Sequence, residues 1–423
     1  MAQDVAYNRS VSSKRSALTS QPLAVFLGTT LVVRVLTDNL SSPNSRHSAT
    51  FNMSGVIAAL FIVVACGLLF RQRRAIVPAV LAGLWLVTWI AIAVGTHGAS
   101  AETLREGVRE ASIIAIAVIV SNARGTVTAL LATRLVQIAG TVPAIIALYQ
   151  LASHTGLDVD HNIRANGTFS HPNSAAMFFA IAVAASLWRY IDNGRHRSDI
   201  VFTALFGAGL VATFSIDGLI ALTTMLVLLG ALHRGPPRFK LIPILTAGLV
   251  VLTFFSMPLG SRRVASESVT SFAAAENGEP NTSLAWRLTR WRMLLHAWKR
   301  APVIGKGLGT TVTEESVPGD KFAGALPHNE YLRYLVETGV LGTALLLGAA
   351  IFFVRRLVLQ RRPAGTLNAS FVSASSLALV IAAGCAVNAT ADNTLLYSTA
   401  SYAAILIIAA ALSLPSVKAA RVT

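Results

Sequence analysis

Residues 75–95 read AIVPAVLAGLWLVTWIAIAVG, 21 residues without a charged side chain, directly behind Arg71-Gln72-Arg73-Arg74. As an α-helix such a run spans the hydrocarbon core of a bilayer, which takes about 20 apolar residues. No water reaches an unpaired amide there, so a helix is the form the run must adopt. The basic cluster in front of it marks a cytoplasmic flank.

Working outward, similar runs cover 22–36 and 53–70 on one side and 107–120, 126–152, 174–191, 200–214, 216–232 and 241–255 on the other. Three more, 331–354, 370–387 and 394–412, close the chain. The expected fold is an all-α polytopic membrane protein of about 12 transmembrane helices with one large extracytoplasmic loop. Its divisions are a cytoplasmic tail at 1–21, nine helices within 22–255, the loop at 256–330, three helices within 331–413 and a second tail at 414–423. No small-residue cleavage pattern follows the first run, which is therefore read as a retained helix and not a signal peptide.

Composition agrees. Charged residues make up 13% of the chain and the mean hydropathy is +0.61, whereas a soluble domain carries about 25% charged residues. The net charge of +16 does not mark a nucleic-acid binder, because the charges sit in short clusters between apolar runs and form no basic domain with aromatic platforms. Nineteen of the 35 basic residues fall in segments that this order places in the cytoplasm, against four (Arg46, Arg105, Arg109, Arg164) in short outer loops. Short loops obey the positive-inside rule, so both termini are expected in the cytoplasm, with the protein in the cytoplasmic (inner) membrane. Arg34 and Arg134 stand in apolar context close to helix ends and are expected to snorkel outward. Cys66 and Cys385, each inside an apolar run, read as buried free thiols.

The loop from 256 to 327 is far longer than an ordinary connection. Within about 283–300, Leu284, Leu288, Trp291, Leu295 and Trp298 recur at spacings of four and three, an amphipathic helical stripe. Arg287, Arg290, Arg292, Lys299 and Arg300 surround it. Such a helix fits the membrane interface, and equally fits a helix packed over the bundle. On either reading its guanidinium forks stand where a phosphorylated lipid could be gripped bidentately. Gly305-Lys306-Gly307-Leu308-Gly309 follows a helix and no strand, so it is not read as a nucleotide loop.

His328-Asn329-Glu330-Tyr331 stands directly before a long apolar helix. The positive end of a helix dipole favours neutral imidazole, the form that accepts a proton as a general base; His328 and Asn329 could also simply cap the helix. A second outer segment ends in Gly167-Thr168-Phe169-Ser170-His171-Pro172-Asn173, where a structural turn is the simpler role for His171. Asp217, Asp392 and Asn393 also fall near outer helix ends, with no chemistry assignable from one sequence. No His and carboxylate cluster has ligand spacing, so neither a metal nor another cofactor is expected.

Together GTFSHPNSAA at 167–176, RLTRW at 287–291, APVIGKGLG at 301–309 and HNEYLRYLVETGVLG at 328–342 resemble the O-antigen ligase and O-antigen polymerase superfamily of bacterial membrane glycosyltransferases. The resemblance implies a GT-C-like transferase that takes a glycan from a polyprenyl-diphosphate carrier, such as undecaprenyl diphosphate, and passes it to a glycan, lipid, wall-polymer or protein acceptor at the outer face. Such enzymes look metal-independent and inverting. Carried over by position, His328 matches the motif histidine and Arg287 the motif arginine, the two expected catalytic residues; Arg290, Arg164, Lys306, Asn329, His171 and Asn173 are the expected substrate contacts. One departure stands out: many relatives have Ser-Arg-Gly where this chain has Ser215-Ile216-Asp217-Gly218, so either Arg290, Arg164 or Lys306 stands in for the missing arginine of a diphosphate clamp or the donor is handled differently. The rival reading, a 12-helix secondary transporter or polysaccharide export component, fits the helix count, but no internal repeat is visible and the polar residues lie outside the midplane.

The charge asymmetry makes a topological prediction. Tags in the loops at Arg73, Arg195, Arg238 and Arg361 should report the cytoplasm, and tags near Gly278 and Asn388 the outside; a cytoplasmic tag at Gly278 would overturn the orientation.

Overall fold

The computed structural model describes residues 21–41, 53–71, 76–123, 126–159, 162–192, 194–266, 283–313, 326–361 and 369–413. The charged tails and the basic residues Arg46, Arg73, Arg74, Arg124 and Arg362 lie outside them. The helices are α1 (Gln21–Leu36), α2 (Met53–Arg71), α3 (Ile76–His97), α4 (Ala101–Asn122) and α5 (Ala129–Ala152). A two-stranded antiparallel hairpin follows, β1 (Leu157–Val159) with β2 (Asn162–Arg164). Then come α6 (Pro172–Asp192), α7 (Arg197–Ala212), α8 (Ile216–Leu232), α9 (Pro237–Ser256), α10 (Pro258–Ser266), α11 (Ser283–Lys299), α12 (Glu330–Gln360), α13 (Ala369–Asn388) and α14 (Ser398–Leu412).

Each of the twelve apolar runs meets a helix, and the chain is an all-α integral membrane protein. Six helices, α2, α3, α5, α6, α9 and α12, are long and apolar enough to cross a membrane; α1, α8, α13 and α14 are shorter apolar helices. α4 is long enough but carries Glu102, Arg105, Glu106, Arg109 and Glu110 in its first half. α9 shows why water is the wrong solvent for this bundle. Phe239, Pro243, Ala247, Val250 and Phe254 face inward, while Leu241, Leu245, Leu249 and Leu252 on the outward side are each more than half exposed. A helix apolar on both faces belongs in lipid.

α6 is the hub. It is buried almost throughout, from Pro172 to Trp188, and its alanines let neighbours approach closely. A Cβ on Gly218 of α8 would come within 2.5 Å of the Ala176 side chain. The bundle has two polar ends. At one, Arg189 pairs with Asp199 at 3.1 Å, His233 with Asp192 at 3.2 Å, and Arg361 donates to the Leu232 carbonyl at 3.0 Å. At the other, Arg34 pairs with Asp38 at 2.6 Å and donates to the Ser398 hydroxyl at 2.7 Å. Arg34 is buried and does not snorkel; its charge is met inside the protein. Arg134 is half-buried, bonded to Gln137 at 3.1 Å and lying 5.2 Å from the Phe202 ring. Cys66 is exposed on the apolar surface and Cys385 half-buried, both free thiols.

α12 breaks at Gly339, where φ is 63° and ψ is −171°. A broken helix inside a bundle leaves amides and carbonyls that need partners. The 301–309 motif supplies them. Lys306 N–H donates to the Val336 carbonyl at 3.0 Å and Gly307 N–H to Glu337 at 2.7 Å; Val340 and Leu341 N–H donate to the carbonyls of Pro302 and Val303 at 2.9 and 3.0 Å. The approach is so close that a Cβ on Gly339 would lie 2.3 Å from the Val303 oxygen, and one on Gly305 2.4 Å from the Gly339 nitrogen. This lock holds the loop, and α11 before it, against α12. α11 docks through Leu294 and Ala297 against Leu332 and Val336, with Trp291 and Trp298 alongside. Leu295, expected on the apolar stripe, is exposed. This helix is packed over the bundle through that face.

Gly339→Ala places a side chain in a backbone region essentially reserved for glycine, at a cost of about 1–3 kcal/mol before the clash is counted. Thermal unfolding in detergent should fall markedly for this variant. Gly348→Ala in the same helix, where a Cβ would meet nothing within 4 Å, should be neutral or slightly stabilising.

Candidate active site

All four residues of the His-Asn-Glu-Tyr motif brace the turn between α13 and α14. His328 N–H donates to Asn393 Oδ1 at 2.8 Å, and Asn329 Nδ2 donates to the Thr390 carbonyl at 2.9 Å. Glu330 N–H donates to the Ala389 carbonyl at 2.9 Å, while its buried carboxylate accepts the Leu395 and Leu396 amides at 2.8 and 3.1 Å. Tyr331 OH reaches the Ala386 carbonyl at 2.9 Å. Asn329 is also the N-cap of α12, its Oδ1 accepting Leu332 N–H at 2.9 Å. Capping therefore falls to Asn329 and leaves His328 for another task.

The braced turn presents Asp392. One carboxylate oxygen, Oδ1, accepts from His328 Nδ1 at 3.0 Å, Tyr397 OH at 2.8 Å and Asn393 N–H at 2.9 Å. Burial alone would raise the Asp392 carboxyl. The hydrogen bond from His328, with the charge of Arg287, outweighs it and holds the group well below the usual carboxylate range. An ionised carboxylate only accepts, so the tautomer that satisfies Asp392 carries its proton on His328 Nδ1, from which the Asn393 Nδ2 donor also lies 3.1 Å away. The Nε2 lone pair is left in a side chain that is 20% exposed, beside the Trp286 ring at 5.6 Å edge to face. His328 itself sits at φ 48°, a conformation uncommon for residues other than glycine.

The other histidine of the cluster is arranged the opposite way. His171 Nδ1 accepts Asn173 N–H at 3.1 Å, and its ring lies parallel to Tyr397 at 6.4 Å. Burial, then the charge of Arg164, lowers its pKa to about 3. Neutral and accepting at Nδ1, it must carry its proton on Nε2. The turn holding it is pinned by α1 and its continuation: Asp38 accepts the Ser170 amide and hydroxyl at 2.9 and 3.0 Å, and Thr168 donates to the Val35 carbonyl at 2.7 Å.

Two guanidinium groups complete the cluster. Arg164 is buried and donates to the Thr213 carbonyl at 2.8 Å and to Asn173 Oδ1 at 2.7 Å. Burial, then repulsion from Arg263, lowers it to about 9, so it remains charged at neutral pH. Its described partners are neutral acceptors. Arg287 makes a two-pronged pair with Asp217, Nη1 to Oδ1 at 3.2 Å and Nη2 to Oδ2 at 2.9 Å. Burial works against its charge, yet Asp217 and Asp392 raise its pKa further.

The structure thus brings His328, Arg287, Arg164, His171, Asn173 and Asn329 to one end of the bundle. Arg290 is buried elsewhere on α11, its Nη2 donating to the Thr311 carbonyl at 2.6 Å, and Lys306 is buried in the loop locked onto α12. Asp392, Asp217 and Tyr397 join the cluster, none of them with a role that could be assigned from sequence. The only available signal was polar residues at apolar helix ends. An open apolar groove of about 690 Å³ lined by Pro22, Phe26, Thr30 and Leu60 lies towards the start of α1, whereas this cluster meets α1 at its far end.

The fold and site define a helical membrane protein that presents a carboxylate-anchored histidine beside buried guanidinium groups. Residues 201–347 match the family model described as O-Antigen ligase. That match takes in three of the four motifs on which the superfamily resemblance rests, 287–291, 301–309 and 328–342, and supports it. The match covers Asp217, Arg287 and His328 but ends before Asp392 and begins after Arg164 and His171. No curated protein compared with the chain matches it.

The lowered His171 pKa has a sign. The unfolded chain binds a proton near pH 6.5 that the folded state refuses until about 3, so stability should fall as pH drops through that window. The slope is at most about 1.4 kcal/mol per pH unit; it is an upper bound because the ring keeps some exposure. Unfolding midpoints measured against pH should show this loss in the wild type and a flatter acid limb in His171→Asn. Asp392 would contribute only below its ordinary carboxylate value of about 3.9.

Proposed function

We propose that this protein is a membrane glycosyltransferase of the O-antigen ligase or polymerase type. It moves a glycan from a polyprenyl-diphosphate carrier to an acceptor hydroxyl at the outer face of the cytoplasmic membrane. The observation that carries this reading is the pairing of His328 with Asp392, which leaves Nε2 as an open proton acceptor among groups suited to an anion.

In this mechanism the acceptor hydroxyl attacks the anomeric carbon while the bond from that carbon to the carrier's phosphate oxygen breaks. The electron pair leaves with the polyprenyl diphosphate, and the hydroxyl proton passes to His328 Nε2. Asp392 stabilises the imidazolium that forms, as a buried carboxylate does for a catalytic histidine. A single displacement inverts the anomeric centre. Arg287 and Arg164 hold the departing phosphates, and the Nε2–H of His171 is a neutral donor to a phosphate or sugar oxygen. Arg164 supports the anion assignment most directly: a buried cation whose hydrogen-bond partners are neutral, with Asp217 and Asp392 acting on it without an ion pair, gains from an arriving phosphate. Asn173 keeps Arg164 in place and Asn329 keeps His328 at the head of α12. Arg290 and Lys306 support the site through their loop packing. Described residues offer no group of three or more His, Cys, Asp and Glu side chains placed to hold a metal, and the chemistry above is written on the chain's own groups.

A transfer assay with purified protein in lipid, in excess chelator, beside a donor-binding assay tests the reading. His328→Ala should lower turnover by about 10²–10⁴ and leave donor binding intact. Arg287→Lys should weaken transfer heavily although charge is conserved, because a point charge cannot replace a planar fork. Near-normal transfer by both Arg287→Lys and His328→Asn would remove the support for this site.

A further inference from the structure

Arg287 is not waiting with an open fork. Both of its terminal nitrogens face the two oxygens of Asp217, at 3.2 and 2.9 Å, and the two side chains are only 14% and 12% exposed. A carboxylate held end-on by a guanidinium occupies the same two-point seat that a pair of phosphate oxygens would take. The two residues come from different elements. Asp217 lies in the first turn of α8, capped by Ser215, whose Oγ accepts Gly218 N–H at 3.2 Å. Arg287 lies in the first half of α11.

The position of Asp217 makes it releasable. A negative charge in the first turn of a helix is favoured by the dipole whether or not a guanidinium is present. Letting go of Arg287 therefore does not strand an uncompensated carboxylate. It cannot move far either, because Gly218 beside it is packed against Ala176. The carboxylate stays next to the seat after leaving it.

Resting on the proposed donor class, we propose that Asp217 is a specificity-determining residue. Its carboxylate is an internal stand-in for phosphate on Arg287, and an incoming lipid diphosphate must displace it. Three consequences follow. A donor with two phosphate groups can outcompete a single carboxylate, while a weak monoanion cannot. The pair keeps Arg287 extended in the empty site. Removing the carboxylate opens the seat to every anion and narrows the discrimination between them.

The test measures binding of a polyprenyl diphosphate and of the matching polyprenyl monophosphate to full-length protein in lipid nanodiscs. Asp217→Asn keeps the shape and removes the charge. It should tighten both ligands, by up to about fivefold for a partly exposed ion pair, with the larger gain for the monophosphate. In an Arg287→Ala background the same Asp217→Asn change should lose most of its effect, because no fork remains to be released and only the pull of Asp217 on Arg164 is left. Persistence of the full tightening there would reduce Asp217 to a general repulsive charge and overturn the proposal. Weaker binding by Asp217→Asn in a folded protein, checked by its unfolding midpoint, would also overturn it by making Asp217 an orienting partner that binding requires. Asp217→Glu serves where Asn fails to fold, since a displaced carboxylate should again leave the discrimination altered. If Arg287→Ala alone leaves diphosphate binding untouched, it is the donor assignment of Arg287 that fails.

Discussion

The structure depends on a helix that stops being a helix. Inside an apolar bundle every backbone amide and carbonyl must find a partner, so a break in a 31-residue helix is tolerated only where something else completes the hydrogen bonds. At Gly339 that something is the 302–307 segment, and the exchange is mutual: carbonyls of α12 take its amides, and its carbonyls take amides of α12. The glycines on both sides are there because backbone meets backbone with no room for a Cβ. The lock fixes the C-terminal end of α11 to α12, and α11 in turn carries Trp286 and Arg287 to His328. A loop motif that superficially resembles a phosphate cradle is a piece of structural backbone, and its role is to place a different motif's side chains.

A second brace works from the same helix. Arg333, one turn below His328, is buried among Glu330 at 2.5 Å, Glu106 at 2.8 Å, Glu110 at 3.2 Å and Glu337 at 3.5 Å. Two of those carboxylates belong to α4, so the start of α12 is tied to α4 by charge and to the 386–396 turn by hydrogen bonds. Breaking a buried charge network by removing one member is far more costly than the network is worth in net stability. Its value lies in geometry. His328 is held from both sides in a backbone conformation it would not choose, with its ring committed to Asp392.

Much of this was legible in the sequence. The apolar runs gave the helices, because hydropathy and length are local properties. The helix at 283–299 was legible too, but its contact face was not. Leu294 and Ala297 pack, and Leu295 does not, because the partner is a groove on α12 and not a flat apolar surface. Arg34 was misjudged for a similar reason: a snorkelling cation and a buried one look alike until Asp38 is seen facing it. The partners of the two motif residues were the least accessible. Asp392 stands 64 residues beyond His328 and Asp217 stands 70 before Arg287, and no local pattern links carboxylates that far apart. The Asp217 departure was visible as a missing arginine; that it would face another arginine was not.

Four buried or half-buried arginines of this end, Arg333, Arg34, Arg287 and Arg164, differ in how their charge is met, and that difference orders their chemistry. Arg333 is surrounded by more carboxylates than it can neutralise. Arg34 has one carboxylate beside it, Asp38, and donates to the Ser398 hydroxyl as well. Arg287 also has one, Asp217, but at the edge of the site, where an anion can compete for it. Arg164 hydrogen-bonds a carbonyl and an amide oxygen, with Arg263 repelling it and Asp217 and Asp392 attracting it without an ion pair. A unit charge pair at about 4 Å is worth roughly 4 kcal/mol at an effective dielectric of 20, so a ligand anion gains little from Arg333, something from Arg287 and most from Arg164. The charge that holds the bundle together and the charge left over for a ligand are thus separated within a few turns of helix. The side chains that sequence motifs single out sit on the side where charge is left over.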